Sequence, residues 1–331
     1  MRDKLRWIGV SAAALLVLGG CGGDGDGGQG GTAGSGGLGG SGGASGCDSA
    51  EMCDDDNECT VDVCTDEGVC ENDPAADETT CDLGVCVTGL CEPVEAAFAC
   101  TEEGIRDAVS LGGGPFGFSC DGAESVTTEA DILITDDVIL DGLGRMTIDG
   151  SDAHRLFSVA DGATVELRRL TLTRGAAVEG GGGAIVSSGT LTMVDSEVSA
   201  SAAETFGGGI TNFGVMTLVG GTVTQNLSGG EGGGIMNTGT LTITSTTISG
   251  HEADAGGEGD GGGLMNTGAL TMTSSTVSGN QAPGDGGGIA NFNVMMLVNS
   301  TISDNAASTG QGGGIWNNSV MTMSNATLSG N

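Results

Sequence analysis

Tyrosine is absent from this 331-residue chain, tryptophan occurs twice, and aromatic residues make up only 3% of it. A core packed between helices and sheets needs more large side chains than that, which excludes a conventional layered domain. Basic residues are equally scarce. Nine Lys and Arg stand against 44 Asp and Glu, giving a formal net charge of −35, and nothing after Arg174 is basic. Neutralising phosphates takes clustered Lys and Arg, so nucleic acid and anionic lipid headgroups are excluded as ligands of the C-terminal half. The apolar stretch from Trp7 to Leu18 is too short to span a bilayer as a stable helix. What the chain has instead is glycine, at 67 positions, and eleven cysteines.

Much of that glycine belongs to a repeat. From Ile185 to Asn331 one pattern, roughly G-G-G-I-x-N-x-G-x-L-T-M-x-x-S-T-I-S-G-N, is written six times. Ile185, Ile210, Ile235, Leu264, Ile289 and Ile315 form an apolar column with steps of 25, 25, 29, 25 and 26 residues. Leu191, Met216, Leu241, Leu270, Met295 and Met321 form a second, and Met193, Leu218, Ile243, Met272, Leu297 and Met323 a third. The fourth is Val198, Val223, Ile248, Val277, Ile302 and Leu328. Apolar residues two apart have the period of strands whose alternate side chains point inward. A unit this short cannot bury its apolar face alone and must stack on its neighbours, so the period predicts an all-β solenoid of about 25 residues and three short strands per coil.

Two polar columns support the stacking. Ser187, Asn212, Asn237, Asn266, Asn291 and Asn317 follow the first strand; Ser201, Asn226, His251, Asn280, Asn305 and Asn331 follow the third. Stacked Asn amides can hydrogen-bond from coil to coil, and Asn suits left-handed turns. His251 reads as a turn residue standing in for Asn. The Gly-Gly-Gly before each first strand predicts a corner at positive φ. Residues 131–175 hold irregular first coils, with Val159 in register 26 residues before Ile185 and with charges that read as surface pairs.

Four segments precede the repeats. Residues 1–20 have a basic start (Arg2, Lys4, Arg6), a short apolar run and small residues before Cys21, the pattern of an export signal. Residues 21–46 are nearly all Gly, Ser, Asp, Thr and Ala, a flexible tether. Residues 47–95 carry Cys47, Cys53, Cys59, Cys64, Cys70, Cys81, Cys86 and Cys91 among acidic residues, with no basic residue and no C-x-x-C pair. An even cysteine count in a small segment with few apolar residues predicts a disulfide-stapled module and disfavours zinc, while leaving the connectivity open. Residues 96–130 form an N-terminal cap for the solenoid at 131–331. Cys100 to Val109 predicts one helix with Thr101 as N-cap, Glu102 and Glu103 in its first turn, and a stop at Gly112-Gly113-Gly114-Pro115. Cys100 and Cys120 are left to close the cap.

Two resemblances follow from these motifs. Leu18-Gly19-Gly20-Cys21 resembles a bacterial lipoprotein lipobox, which implies cleavage before Cys21 and its lipidation, and Gly22 after it points to the outer membrane. Cys100-Thr101-Glu102-Glu103-Gly104-Ile105-Arg106-Asp107-Ala108, with the Gly-Gly-Gly-Ile-x-Asn and Ser-Thr-Ile-Ser-Gly-Asn repeats, is similar to the polymorphic outer membrane proteins and related surface proteins. That resemblance covers residues 98–331 and implies a right-handed parallel β-helix. The F-x-x-N half of the family's repeat pair and an autotransporter barrel are missing, so a lipid on Cys21 becomes the expected anchor.

For function, the expectation is an exported protein at the outer membrane or cell surface that binds a cell-surface or glycan ligand, as an adhesin or structural element. It touches the membrane only through its lipid, and neither nucleic acid nor any cofactor is called for. One alternative is a polysaccharide lyase or hydrolase. The regular coils lack the Lys or Arg a lyase uses, and most of their acids fall in connections rather than on strands, with Glu252, Asp254, Glu258 and Asp260 the only concentration. Calcium has weak candidates in Asp54, Asp56 and Glu58, and in Asp254, Glu258 and Asp260, where a Gly-Gly-x-Gly-x-Asp loop is one residue out of step. Trp316 reads as a solitary aromatic. A second alternative is an ordered surface, ice or crystalline glycan, laid on the outward stripe Thr192, Thr217, Thr242, Thr271, Met296 and Thr322. The last copy ends at Asn331 without a distinct cap, which predicts that another chain covers that edge or that the sequence is a fragment.

Overall fold

A computed structural model describes the backbone of residues 60–64, 70–74, 80–81, 84–87, 90–93 and 96–331 apart from 255, and side chains from residue 97 onward. The signal segment 1–20, the tether 21–46, and Cys21, Cys47, Cys53, Cys59, Asp54, Asp56 and Glu58 lie outside the described residues. Within the cysteine-rich segment, Thr60–Cys64 pairs antiparallel with Cys70–Pro74, placing Cys64 opposite Cys70. Gly84–Val87 pairs with Thr80–Cys81 and with Leu90–Pro93, where Cys86 faces Cys91 across the ladder.

The repeats form a parallel β-solenoid. Its first ladder has eight strands, one per winding, from Ile132–Ile134 to Ile315–Asn317. The second ladder takes two strands from each regular winding, such as Thr240–Thr244 and Thr247–Ser249, and the third takes two-residue strands from Ala176–Ala177 to Ala306–Ala307. Equivalent residues are direct partners: Ile210 pairs with Ile235 and Ile235 with Leu264, while Leu241 pairs with Leu270. The four-residue insertion before Leu264 is therefore absorbed in the connection and leaves the columns in line. Inside them, Ile235, Leu241, Ile243 and Ile248 are fully buried. Cutting such a side chain back to Ala costs about 2 to 5 kcal/mol, since both neighbouring rungs lose their packing.

Two local expectations are corrected and a third, the glycine corner, is made more specific. The Cα partner of Ile185 is Phe157, and Val159 sits opposite Ser187. The connection before Ile185 is two residues longer than the repeat step implies, and a shift of two keeps the inward face inward. The triple glycines do turn at positive φ, and from the second copy onward the residue that does so is the first, as at Gly232 (64°), Gly261 (65°) and Gly286 (71°). The second is glycine because the windings touch there: a Cβ on Gly233 would overlap the carbonyl oxygen of Gly262. Finally, the left-handed residue is the one before each third-strand Asn, namely Ala200, Gln225, Gly250, Gly279, Asp304 and Gly330.

The cap is as read from the sequence. The helix Glu102–Leu111 begins at Thr101, whose side chain accepts the Gly104 N–H at 3.1 Å, and ends at Gly112 with φ 65°. Cys100 and Cys120 are joined by a disulfide. Next to the cap, Arg155 reaches Asp131, Arg168 reaches Glu166, Arg169 reaches Asp141, and Arg174 reaches Asp149. The last two carboxylates are buried, so these are not the solvent-exposed pairs expected. Burial alone raises the Asp149 carboxyl, but the Arg174 guanidinium and the Ser151 N–H outweigh it and hold the group below its ordinary range. Among the described residues no helix is long and apolar enough to cross a membrane.

Candidate functional site

The buried polar columns are structural. Asn212 donates to Asn237 at 2.8 Å, Asn237 to Asn266 at 2.7 Å, Asn266 to Asn291 at 2.7 Å, and Asn291 to Asn317 at 2.6 Å. The ladder starts imperfectly: Ser187 is too short to donate to Asn212, so the Ser187 hydroxyl and the Asn212 Oδ1 are buried without partners. In the other column each side chain accepts the backbone N–H one winding earlier, and all but Ser201, which donates to Ser199 O in its own winding, donate to a carbonyl there, as Asn280 does with His251 N–H and Ile248 O. His251 copies this with its ring. Nδ1 accepts the Asn226 N–H at 3.0 Å and Nε2 faces Val223 O at 2.9 Å, which requires the neutral Nε2–H tautomer. Burial pushes its pKa down to about 4, against the smaller upward pull of those two hydrogen bonds. His251 thus stands in for Asn.

The acids divide into two groups. Glu252 and Asp254 line a shallow trough of about 200 Å³ over the third ladder, together with Gln281, Pro283 and Ser308. A second hollow of about 280 Å³ lies beside the cap, where Glu166 and Thr192 meet Val138 and Ile139. The other group stacks directly before the triple glycines: Glu231, Asp260 and Asp285, one per winding. Asp260 Oδ1 accepts the Asp285 N–H at 2.6 Å, and Asp285 Oδ1 accepts the Gln311 N–H at 2.7 Å. Burial and the neighbouring Asp260 charge raise the Glu231 carboxyl. Burial raises Asp260, where the Asp285 N–H pulls down and the Asp285 charge pushes up. Asp254, Glu258 and Asp260 are not gathered around one point. Among the described residues the only metal-like grouping is Cys100, Cys120 and Glu124, whose sulfurs are spent in the disulfide.

The aromatics form a feature that sequence reasoning missed. The middle residues of the first-ladder strands point outward, yet Met236, Met265 and Ala290 are at most 9% exposed, because the glycine corners fold back over them. They make a second apolar cluster, with Phe206 packed at one end and Trp316 at the other. Phe206 meets Phe213 edge to face, ring centres 6.4 Å apart, and Phe292 leans on Trp316 at 4.7 Å. Phe213 is 45% exposed and Phe292 37%. Trp316 is therefore not solitary: two aromatic pairs bracket one edge. Phe213 and Phe292 each follow a ladder Asn and lie three rungs apart, about 14 Å at the spacing of parallel strands. Their shared place after that Asn was the available signal.

The Thr stripe is present as read, with Thr192, Thr217, Thr242 and Thr271 as successive partners, broken by exposed Met296. Exposed Val215, Val219, Val294 and Val320 interrupt the rows beside it. Comparison with protein-family models, with curated proteins and with solved structures finds no match to this chain.

Proposed function

We propose that the solenoid is the binding part of an exported, lipid-anchored surface protein, and that it holds a glycan at a cell surface as an adhesin or structural element does. The single observation that carries the binding role is the pair of aromatic clusters, half-buried Phe206 with exposed Phe213 and exposed Phe292 with half-buried Trp316, set on one edge of a rigid ladder. Aromatic faces stack on the C–H faces of sugars, and a fixed platform loses little entropy on binding. Export and anchoring are supported by the basic start, apolar run and Leu18-Gly19-Gly20-Cys21, followed by a glycine-rich tether suited to holding a module away from a membrane. The likeness of residues 98–331 to polymorphic outer membrane proteins supports the same placement.

A polysaccharide hydrolase is the competing reading, favoured by Glu252 and Asp254 sharing one trough. One experiment separates the two: the purified protein is applied to a glycan array while reducing ends are assayed. Retention without product supports binding; product release overturns it in favour of the enzyme.

A further inference from the structure

We infer that the aromatic edge and the acid row crossing it bind a linear polysaccharide bearing free amino groups, a β-linked glucosamine polymer, laid along the solenoid axis. The inference rests on the glycan reading above and names its sugar. Phe206, Glu231, Asp260, Asp285 and Gln311 occupy one column, with Phe206 opposite Glu231 in a parallel bridge, so Glu231 and Asp260 lie in the windings between the two aromatic pairs and Asp285 in the winding of Phe292. Winding by winding the edge presents ring, acid, acid, acid with ring, and ring.

Successive carboxylates climb about 4.8 Å per rung, so the row runs along the solenoid axis, as an extended polymer laid on it would. The charge argues for amines. Three carboxylates one rung apart repel one another, and no basic residue follows Arg174 in the sequence to relieve them. Glu231 and Asp260 are pushed towards protonation in the free protein first by burial and to a smaller extent by a neighbouring carboxylate. A row of ammonium groups relieves the repulsive part, while the sugar rings stack on Phe213 and Phe292 and their cations gain from the ring faces.

The test uses the full chain with glucosamine hexamer, N-acetylglucosamine hexamer, cellohexaose and polylysine, measured by calorimetry at low and high salt. The glucosamine hexamer should bind at least about ten-fold tighter than either neutral hexamer, with an affinity that falls as salt is added. Asp285→Asn and Glu231→Gln should each remove most of that preference and spare neutral binding, whereas Phe292→Ala should weaken all three sugars. Circular dichroism of each variant checks that the β-solenoid persists; Glu231 lies at the surface with its carboxyl only partly screened from water, so its Gln variant keeps the fold. Equal affinity for free and acetylated hexamers would overturn the inference and leave the glycan reading standing. Tight polylysine binding indifferent to Phe292→Ala would overturn it as simple ion exchange, and failure of every sugar to bind would remove both.

Discussion

Acid should loosen one particular rung. His251 is 1% exposed, and both its ring nitrogens are engaged in the manner of an Asn amide. Protonating it puts an N–H against the Asn226 N–H, breaking one hydrogen bond and burying a charge. The unfolded chain takes up this proton below pH 6.5 and the folded chain only below about 4. The group's folded pKa is thus depressed, and for a base this means that its contribution is complete above pH 6.5 and is lost as pH falls towards 4. At about 1.4 kcal/mol per pH unit, the whole loss is about 3 kcal/mol. His251→Asn restores the residue used elsewhere in the column and removes the titration, so the two proteins should be compared by urea unfolding at pH 7 and pH 4. The many carboxylates titrate identically in both and cancel. Wild type should lose about 3 kcal/mol relative to His251→Asn, with faster hydrogen exchange at the Asn226 amide. Parallel stability curves would refute the buried, neutral imidazole.

Four further outcomes are expected. Ser187→Asn should extend the amide ladder to the orphaned Asn212 Oδ1 and raise stability by about 1 kcal/mol, seen as a higher urea midpoint. Asn266→Ala, in the middle of that ladder, should lower it by about 1 to 3 kcal/mol by stranding its neighbours. Replacing Cys100 and Cys120 together by Ser frees a loop closed across 20 residues and should cost about 3 kcal/mol, with exchange protection lost first at the cap. Gln225→Gly relieves a left-handed backbone at φ 54° and should gain roughly 0.5 to 1 kcal/mol in thermal or urea melts.

The regular windings were legible because one physical demand, burial of alternate side chains in a stack of like turns, writes itself into every copy. Ile235 and Leu264 can be aligned across a four-residue insertion because only the connection lengthens. Where copies are irregular that demand is weaker evidence of register, and Phe157 replaced Val159 opposite Ile185. Position in a turn was read one residue off at Gln225 and its equivalents, since an Asn suits a left-handed turn and a bond to the backbone of the preceding winding alike, and here that bond took it. The aromatic edge was hidden for another reason. Phe206, Phe213, Phe292 and Trp316 come from three different columns, and only the folding of glycine corners over the outer face of the first ladder brings them together. The helix and the Cys100–Cys120 disulfide needed no such tertiary information, because the cap, the acidic first turn and the glycine stop are local.

The most direct test of the stacking is a set of spin-label distances along the outward Thr column, using labels attached through non-canonical residues so that the cysteines are untouched. Labels at residues 192 and 322 are five rungs apart by their pairing, which predicts backbones about 24 Å apart, and about 10 Å more separation than labels at 192 and 271. Distances that grow by one equal step per winding would uphold the in-register solenoid; equal distances for the two pairs, or a broad distribution, would contradict it.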